Sequence, residues 1–184
     1  MKNNLLQAIR LTLVCLVFFC GIYTLIVLGV SKLMPSSWTF SKDKSGFYQN
    51  VGQNFSDDKY FNSRPSAVGY NAAGSGGSNK GPSNPDYLAE VQGRIDSFLV
   101  HNPGIEKSEI PSDLVTASGS GLDPNISVEA AQVQAKRISK IRKLSEQIVQ
   151  QLIEQQTEKP LLGLFGTEKI NVLRLNLALD NLKN

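Results

Sequence analysis

An uninterrupted apolar segment at residues 11–30 constrains the fold of this chain more than any other feature. It reads LTLVCLVFFCGIYTLIVLGV, with no charged residue and no proline. A helix of about twenty residues is about 30 Å long, which matches the hydrocarbon core of a bilayer. The segment therefore predicts one transmembrane helix. A cleaved signal peptide is the alternative, but its apolar region is shorter, about 7–15 residues.

The charges beside the apolar segment predict its orientation. Lys2 and Arg10 precede it without any acidic residue, and Lys32 follows it. By the positive-inside rule the N-terminus is cytoplasmic and the large C-terminal part lies outside. The predicted organisation is a cytoplasmic tail (1–10), a transmembrane helix (11–33), a connector (34–46) and an extracytoplasmic domain (47–184).

The composition of the large domain excludes several function classes. Lys2, Arg10 and Lys32 are three of the 19 basic residues, and all 16 acidic residues come later, so the remainder is formally neutral. A neutral domain without a basic patch is not expected to bind nucleic acid. His101 is the single histidine, and no cluster of cysteine and histidine exists, which excludes a zinc-type metal site and a histidine-based catalytic triad.

We expect neither catalytic residues nor a bound metal in this chain. Cys15 and Cys20 both lie in the apolar segment, where small, polarizable side chains pack well. Asp43 begins a DKSG stretch that resembles the phosphorylated DKTG motif of P-type pumps. That motif works inside a large cytoplasmic domain, for which a single-span chain of 184 residues has no room.

Hydrophobic periodicity predicts the elements of the outer domain. Asn84, Ser127 and Ser145 are candidate N-caps for three helices. The predicted elements are a short helix at 47–55, helices at 85–101, 128–143 and 146–157, strands at 110–116 and 173–179, and an apolar turn at 161–166. The alternation of leucines at 173–179 favours the second strand, but Ala178 and Leu182 leave a helix open for this segment. The predicted fold is a single N-terminal transmembrane helix followed by one α+β (mixed, helix-rich) extracytoplasmic domain.

Two loops rich in glycine and serine interrupt this pattern, at residues 69–85 and 118–121. The composition of the first is typical of a flexible linker, although its many hydroxyl and amide side chains also suit an ordered loop. Either loop could present backbone N–H groups to a phosphate, but neither has the pattern of a Walker A loop. Packing of the loops against a partner is the favoured interpretation.

Three stretches carry a resemblance to a known family. They are residues 60–67 (YFNSRPSA), 75–85 (SGGSNKGPSNP) and 115–127 (VTASGSGLDPNIS). We call them the first, second and third blocks. Together with the ending NVLRLNLALD at residues 171–180, they resemble the C chain of the bacterial Kdp potassium-transporting P-type ATPase over nearly the whole chain.

The resemblance implies a non-catalytic accessory subunit of an ATP-driven potassium uptake complex in the bacterial inner membrane. Its implied partners are a channel-like potassium-binding subunit, the P-type ATPase subunit, a small single-span subunit and membrane lipid. The implied roles are to stabilise assembly and to act as a catalytic chaperone that raises the ATP affinity of the ATPase subunit. The third block is similar to the signature loop of ABC ATPases, so the resemblance also implies ATP binding, whereas potassium is transported by the complex.

The family motifs supply the candidate site residues. Contact with a partner or a nucleotide is expected for Arg64, Pro65, Ser66, Gly76, Gly77, Ser78, Asn79, Ser118, Gly119, Ser120, Gly121, Asp123 and Pro124. Within the apolar segment, Cys20, Gly21 and Thr24 are predicted to form a strip of small residues that packs on the channel-like subunit. The predicted orientation opposes direct ATP contact, because ATP is inside the cell. A stand-alone single-span sensor or cell-wall-binding protein is the alternative function.

Overall fold

The computed structural model describes residues 2–33 and 48–182. The chain divides into two compact units, Met1–Lys42 and Asp43–Asn184, which are described separately. The predicted connector at 34–46, including Asp43, lies outside the described residues, and so does Phe47 at the start of the predicted short helix.

The N-terminal unit is one continuous helix with a wide central turn. Helix α1 (Lys2–Leu16) leads into a π-helical segment (Val17–Tyr23) and then into α2 (Thr24–Leu33). The Thr24 hydroxyl donates to Phe19 O at 2.9 Å, five residues back, within this wide turn. By length and composition, with a mean hydropathy of 2.7 in its most apolar window, the helix over Asn4–Leu33 could cross a membrane.

Four α-helices lie in the described part of the second unit, residues 48–182, and three of them begin at the capping side chains that the sequence predicts. They are α3 (Pro85–His101), α4 (Val128–Arg142), α5 (Glu146–Gln156) and α6 (Val172–Asn181). The Asn84 side chain accepts a hydrogen bond from Tyr87 N, and Ser127 and Ser145 cap α4 and α5 in the same way. The three predicted N-caps are therefore confirmed.

A small antiparallel sheet connects these helices. Its strands are β1 (Asn125–Ile126), β2 (Thr157–Glu158) and β3 (Lys169–Asn171), with β3 in the centre. Ile170 lies opposite Ile126 on one side and Thr157 on the other. The sheet and helices α4, α5 and α6 enclose a core whose buried members are Phe61, Leu114, Ile126, Ala130, Ala131, Ala135, Ile138, Val149, Leu152, Ile153, Ile170, Val172, Leu175 and Leu179.

Of the two interpretations of residues 173–179, the favoured strand is wrong and the helix is the one observed, as part of α6. Asn171 is the last residue of β3, and its side chain accepts from Arg174 N at 3.1 Å, so the helix starts without any intervening loop. The Asn171 side chain also donates to Gln49 O at 2.7 Å. The buried positions of α6 are Val172, Leu173, Leu175, Asn176 and Leu179, which follow the helical period once the buried amide is counted.

The strand predicted at residues 110–116 is also wrong. Two short 3₁₀ helices, Lys107–Glu109 and Ser112–Leu114, occupy this region. Asp113 fixes the second one, because its carboxylate accepts hydrogen bonds from the Ser127 amide at 2.8 Å and the Ser127 hydroxyl at 3.2 Å. The turn therefore buries Leu114 without strand pairing.

The short helix predicted at 47–55 is wrong for its described residues, 48–55, which form a turn and an irregular segment. Gly52 N donates to Leu122 O at 2.7 Å and fixes the chain there. Helix α5 buries Val149, Leu152 and Ile153, whereas Ile148 is 41% exposed. Helix α3 has no fully buried residue, although Phe98 packs against the core.

Candidate functional site

The three family blocks meet at one place, which we call the loop junction. It comprises residues 64–66, 75–77 and 118–124. The Ser66 hydroxyl donates to Gly121 O at 2.6 Å. The Ser118 amide donates to Pro65 O at 3.1 Å. These two hydrogen bonds join the first block to the third.

The second block also binds to the third. The Gly76 amide donates to Ser120 O at 2.9 Å, and the Ser75 hydroxyl donates to the same oxygen at 3.0 Å. A Cβ at Gly77 would lie 3.2 Å from Gly119 O, so the two backbones are in close approach. Of the two interpretations of residues 69–85, the ordered loop is therefore the one observed.

Gly121 is required at the centre of the junction. Its φ of +68° lies in the left-handed region, where a side chain is disfavoured. A Cβ at this position would lie 2.5 Å from Val68 Cγ2 and 2.8 Å from Gly76 O. No residue with a side chain fits here without moving one of the other blocks.

An ion pair anchors the first block to the third at the edge of the junction. Arg64 Nη1 lies 3.0 Å from Asp123 Oδ2, and both side chains are about one-quarter exposed. Asp123 Oδ1 accepts from Asn125 N at 3.0 Å, which shapes the chain before β1. Pro124 O accepts from Val172 N at 2.9 Å, so the third block also contacts the start of α6.

Tyr70 closes the other side of the first block. Its hydroxyl donates to Arg64 O at 2.6 Å, and its amide donates to Ser66 Oγ at 2.9 Å. Burial raises the pKa of the Tyr70 hydroxyl above its ordinary value, and the charge of Arg94 opposes this only in part. The neutral phenol is therefore the form that the junction holds.

Ser78 and Asn79 lie at the turn that leads from the junction towards α3. The Lys80 amide donates to Ser78 Oγ at 3.5 Å, and Asn79 has a φ of +54°. The Lys80 ammonium pairs with Glu90 of α3. Within residues 48–182, neither Ser78 nor Asn79 is hydrogen-bonded to the first or third block, so the structure separates these two from the other candidates.

The junction's own hydrogen bonds use three of its backbone amides. The amides of Gly76, Ser118 and Gly121 already donate to carbonyl oxygens within it, so they are not turned towards a ligand. A cleft of about 670 Å³ lies beside it, and carboxylates dominate its charged lining: Glu109, Asp113, Asp123, Glu129 and Glu168 against Arg64 and Lys169. An excess of negative charge repels a nucleotide.

A second polar centre, which we call the Arg137 cluster, lies under the first block. The Arg137 side chain is 3% exposed. Its guanidinium donates to Asn102 Oδ1 at 2.9 Å, Asn62 Oδ1 at 2.7 Å and Gln134 Oε1 at 2.9 Å. It also donates to Tyr60 O at 3.1 Å and to the Asp58 carbonyl oxygen.

Burial lowers the pKa of Arg137 from its ordinary value, and the charge of Asp58 opposes that effect. The cluster fixes the segment before the first block onto α4. Sequence reasoning missed it. The available signal was the position of Gln134 and Arg137 on the same face of α4 as Ala130, Ala131 and Ile138, where polar residues require partners.

The predicted packing strip lies in and beside the π-helical segment of the first unit. Cys20 and Gly21 belong to that segment, and Thr24 is the first residue of α2. A Cβ at Gly21 would meet nothing within 4 Å, which leaves room for close approach of another helix. The Thr24 hydroxyl is already bonded to Phe19 O, so it adds little polarity to this strip.

No metal site is found among the residues that the structure describes, since no three His, Cys, Asp or Glu side chains are grouped to hold an ion.

These observations define a class: a small mixed helix–sheet domain with interlocked glycine-rich loops, on a chain with one apolar N-terminal helix. The family described as KdpC, the c chain of the K⁺-transporting ATPase, matches residues 5–181. The chain therefore belongs to the KdpC family and is a subunit of the Kdp ATPase complex.

Relatives from distant bacteria match over almost their full length. A protein of Flavobacterium psychrophilum is 53% identical over 185 residues, which cover 98% of this chain and 100% of the relative. A protein of Bacteroides thetaiotaomicron is 50% identical, and the match covers 98% of this chain and 100% of the relative. A protein of Caldanaerobacter subterraneus is 41% identical, and the match covers 97% of this chain and 95% of the relative. All three are described as the KdpC subunit of a potassium-transporting ATPase.

Proposed function

We propose that this chain is a non-catalytic accessory subunit that stabilises the assembly of a potassium-transporting P-type ATPase. The interlocked loop junction carries the proposal. Its polar groups bond to one another and hold three blocks in one arrangement, as a rigid docking surface requires, whereas a catalytic site needs unpaired groups aimed at a substrate.

The N-terminal helix anchors the chain in the bacterial inner membrane, with the N-terminus in the cytoplasm and the main domain in the periplasm. The charges at Lys2 and Arg10 support this orientation. The channel-like subunit binds the Gly21 side of the helix, and the ATPase subunit and a small single-span subunit complete the complex. Potassium is carried by the complex, and this chain provides no ion site of its own.

Any effect on ATP affinity is indirect in this proposal. Three junction amides are engaged and the adjacent cleft is acidic. The proposed orientation also puts the domain across the membrane from ATP. The chain would then raise the ATP affinity of the ATPase subunit by favouring one of its conformations, because a binding effect at a distance requires different contacts in two states.

Affinity purification tests the assembly role. The tagged full chain is expressed with its neighbouring Kdp subunits, extracted in mild detergent and purified, and the partners should be recovered with it. Recovery of the chain alone would instead support a stand-alone sensor or cell-wall-binding protein.

The nucleotide role has a separate test. Right-side-out membrane vesicles that contain the whole complex are labelled with a photoreactive ATP analogue before and after the inner face is opened. The ATPase subunit should be labelled only after opening, and this chain in neither condition. Labelling of the third block in sealed vesicles would contradict the indirect mechanism.

Membrane orientation is tested with a single cysteine. Val100 is 78% exposed at the end of α3. In a Cys15→Ala, Cys20→Ala background, Val100→Cys should react with a membrane-impermeant maleimide in cells whose outer membrane is permeabilised. Reaction only after disruption of the inner membrane would reverse the proposed topology.

A further inference from the structure

The hairpin that connects β2 to β3 ends in a turn whose large side chains all face solvent. We call residues 161–166 the apolar turn. Leu161 is 68% exposed, Leu162 81%, Leu164 80% and Phe165 64%. Other exposed apolar side chains of the described domain, such as Val100 and Ile141, are scattered along it. Scattered residues are ordinary, whereas a contiguous exposed group marks an interaction site.

Most backbone amides of the apolar turn are hydrogen-bonded locally and do not require water as an acceptor. Leu161 N donates to Phe165 O at 2.9 Å, and Phe165 N donates to Leu161 O at 3.0 Å. Leu164 N donates to Leu161 O at 3.1 Å, and Gly163 N donates to Pro160 O at 2.9 Å. Four amides are therefore satisfied inside the turn, which is the condition for moving backbone into a medium that offers no hydrogen bonds.

Leu162 occupies a position that favours other residues. Its φ is +56° and that of Gly163 is +72°, the arrangement of a two-residue turn in which Asn, Asp or Gly normally comes first. A leucine there is disfavoured by about 1–2 kcal/mol. It gains no compensating burial within the domain, because its side chain remains exposed. A contact outside the domain would compensate for this strain.

The turn has no charge to attract a polar partner. Residues 160–167 read PLLGLFGT, between Lys159 and Glu168. A protein interface of this size normally combines an apolar centre with hydrogen-bonding groups at its rim. Here the side chains from Leu161 to Phe165 offer none, so the chemistry matches hydrocarbon better than a protein surface.

The same chain carries an apolar helix that could cross a membrane. The helix ends at Leu33, and residues 34–47 join it to the described part of the domain. About fourteen residues reach at most about 50 Å even when fully extended. The connection therefore keeps the domain within reach of the bilayer surface and raises the effective concentration of lipid around it.

We propose that the apolar turn inserts into the lipid interface on the domain's side of the membrane, as a second contact with the bilayer. The inference rests on the membrane-spanning helix of the proposed function, but it does not require the partner subunits. Leu162 and Phe165 enter the boundary between headgroups and acyl chains, while Lys159 remains at headgroup level.

Fluorescence quenching tests the insertion in the full chain. Trp38 is the only tryptophan and is replaced by Phe. A new tryptophan is placed at Leu162, and the matched control places it at Val100, which is 78% exposed and apolar but isolated. The proteins are reconstituted into phosphatidylcholine–phosphatidylglycerol vesicles with brominated or unbrominated acyl chains. Leu162→Trp should lose more than about half of its emission in brominated vesicles, and Val100→Trp little.

Equal quenching of both tryptophans, or none at Leu162, would overturn the inference. An alkaline wash of the same vesicles separates this failure from failure of the membrane anchor. If the chain stays in the membrane but the tryptophan at position 162 is not quenched, only the insertion of the apolar turn is rejected. If the alkaline wash extracts the chain, both the insertion and the membrane anchor are rejected.

Repetition with the assembled complex tests the competing occupant. A photoreactive residue at Leu162 should crosslink to lipid. Crosslinking to a partner subunit, with loss of the quenching, would show that protein covers the turn and would overturn the inference.

Discussion

The Ser66 hydroxyl and the Gly121 carbonyl oxygen lie 2.6 Å apart, and this hydrogen bond joins two blocks that are 55 residues apart in the sequence. Ser66 Oγ also accepts from the amides of Val68 and Tyr70. One hydroxyl therefore organises the first block and holds it against the third. The stability of the junction is expected to depend on a few such positions and to tolerate changes beside them.

Gly121→Ala should destabilise the domain by about 2–4 kcal/mol, because it adds left-handed strain and a clash with Val68 and Gly76. Gly119→Ala is the matched control, since a Cβ there meets nothing within 4 Å. Thermal unfolding of the full chain in detergent, followed by circular dichroism, measures both. Equal melting temperatures would contradict the geometry of the junction.

Arg137→Gln should cost at least about 3 kcal/mol, because a buried set of acceptors loses its common donor. Arg174→Gln is the control. Arg174 Nη1 lies 2.8 Å from the Glu158 carboxylate, but the Arg174 side chain is 51% exposed. Because exposed ion pairs stabilise little, this variant should lose less than about 1 kcal/mol of unfolding free energy. Urea unfolding measures the free energy of unfolding of both variants. A similar loss in the two would contradict the predicted contribution of the Arg137 cluster to stability.

Asn176→Asp should destabilise the domain by about 2–3 kcal/mol near neutral pH. The Asn176 amide accepts from Phe61 N at 2.8 Å and donates to Phe61 O at 3.0 Å. A carboxylate keeps the first bond and sets an oxygen against the Phe61 carbonyl. Asn181→Asp, at the exposed end of α6, should change the free energy of unfolding little. The prediction fails if the two variants unfold at the same urea concentration.

Stability should fall as the pH rises through and above about 10, the ordinary pKa of tyrosine, with a contribution from Tyr70. Burial raises the pKa of Tyr70 in the folded state, so the unfolded chain loses this proton first and is favoured at high pH. Tyr70→Phe removes the contribution of this phenol to the pH dependence. It also removes the hydrogen bond to Arg64 O, which should lower the free energy of unfolding by about 1 kcal/mol at neutral pH. Unfolding measured from pH 8 to 11 should show a shallower decline in the variant. Parallel declines would contradict the buried, neutral phenol.

Gly21→Leu should lower the recovery of partner subunits without affecting insertion of the chain into the membrane, because it fills the space left for a neighbouring helix. Thr24→Leu tests the adjacent position of the strip. Gly29→Leu is the control, since Gly29 is equally open but lies in α2 outside the strip. Co-purification and an alkaline membrane wash measure the two properties. Equal recovery for the Gly21 and Gly29 variants would exclude the predicted strip.

Local signals predicted the three capped helices α3, α4 and α5 correctly, and neither predicted strand is observed. A capping side chain acts within three residues, so Asn84, Ser127 and Ser145 could be recognised from the sequence alone. The leucines of α6 alternate, but the buried amide of Asn176 completes a helical face that no count of apolar residues includes. Strands of two or three residues are too short to show any periodicity.

The sequence supplied candidate residues for the site but did not show how they are arranged. The family resemblance named Ser66, Gly76 and Gly121 without indicating which atoms meet. Their contacts depend on long-range approach of loops, which periodicity does not describe. The Arg137 cluster was missed because a single arginine in a helix is normally solvated. Four of its five acceptors come from parts of the chain that only the fold brings together, and the fifth is Gln134 on the same helix.

Asn171 belongs to β3 by its backbone and to α6 by its capping side chain, and no residue separates the two elements. The strand and the helix are therefore joined without a flexible linker between them. A partner that tilts α6 must also pull the central strand against both of its neighbours. A displacement of α6 is thus expected to reach all three strands of the sheet through β3. An accessory subunit that influences its partners without a catalytic site of its own would use such a coupling.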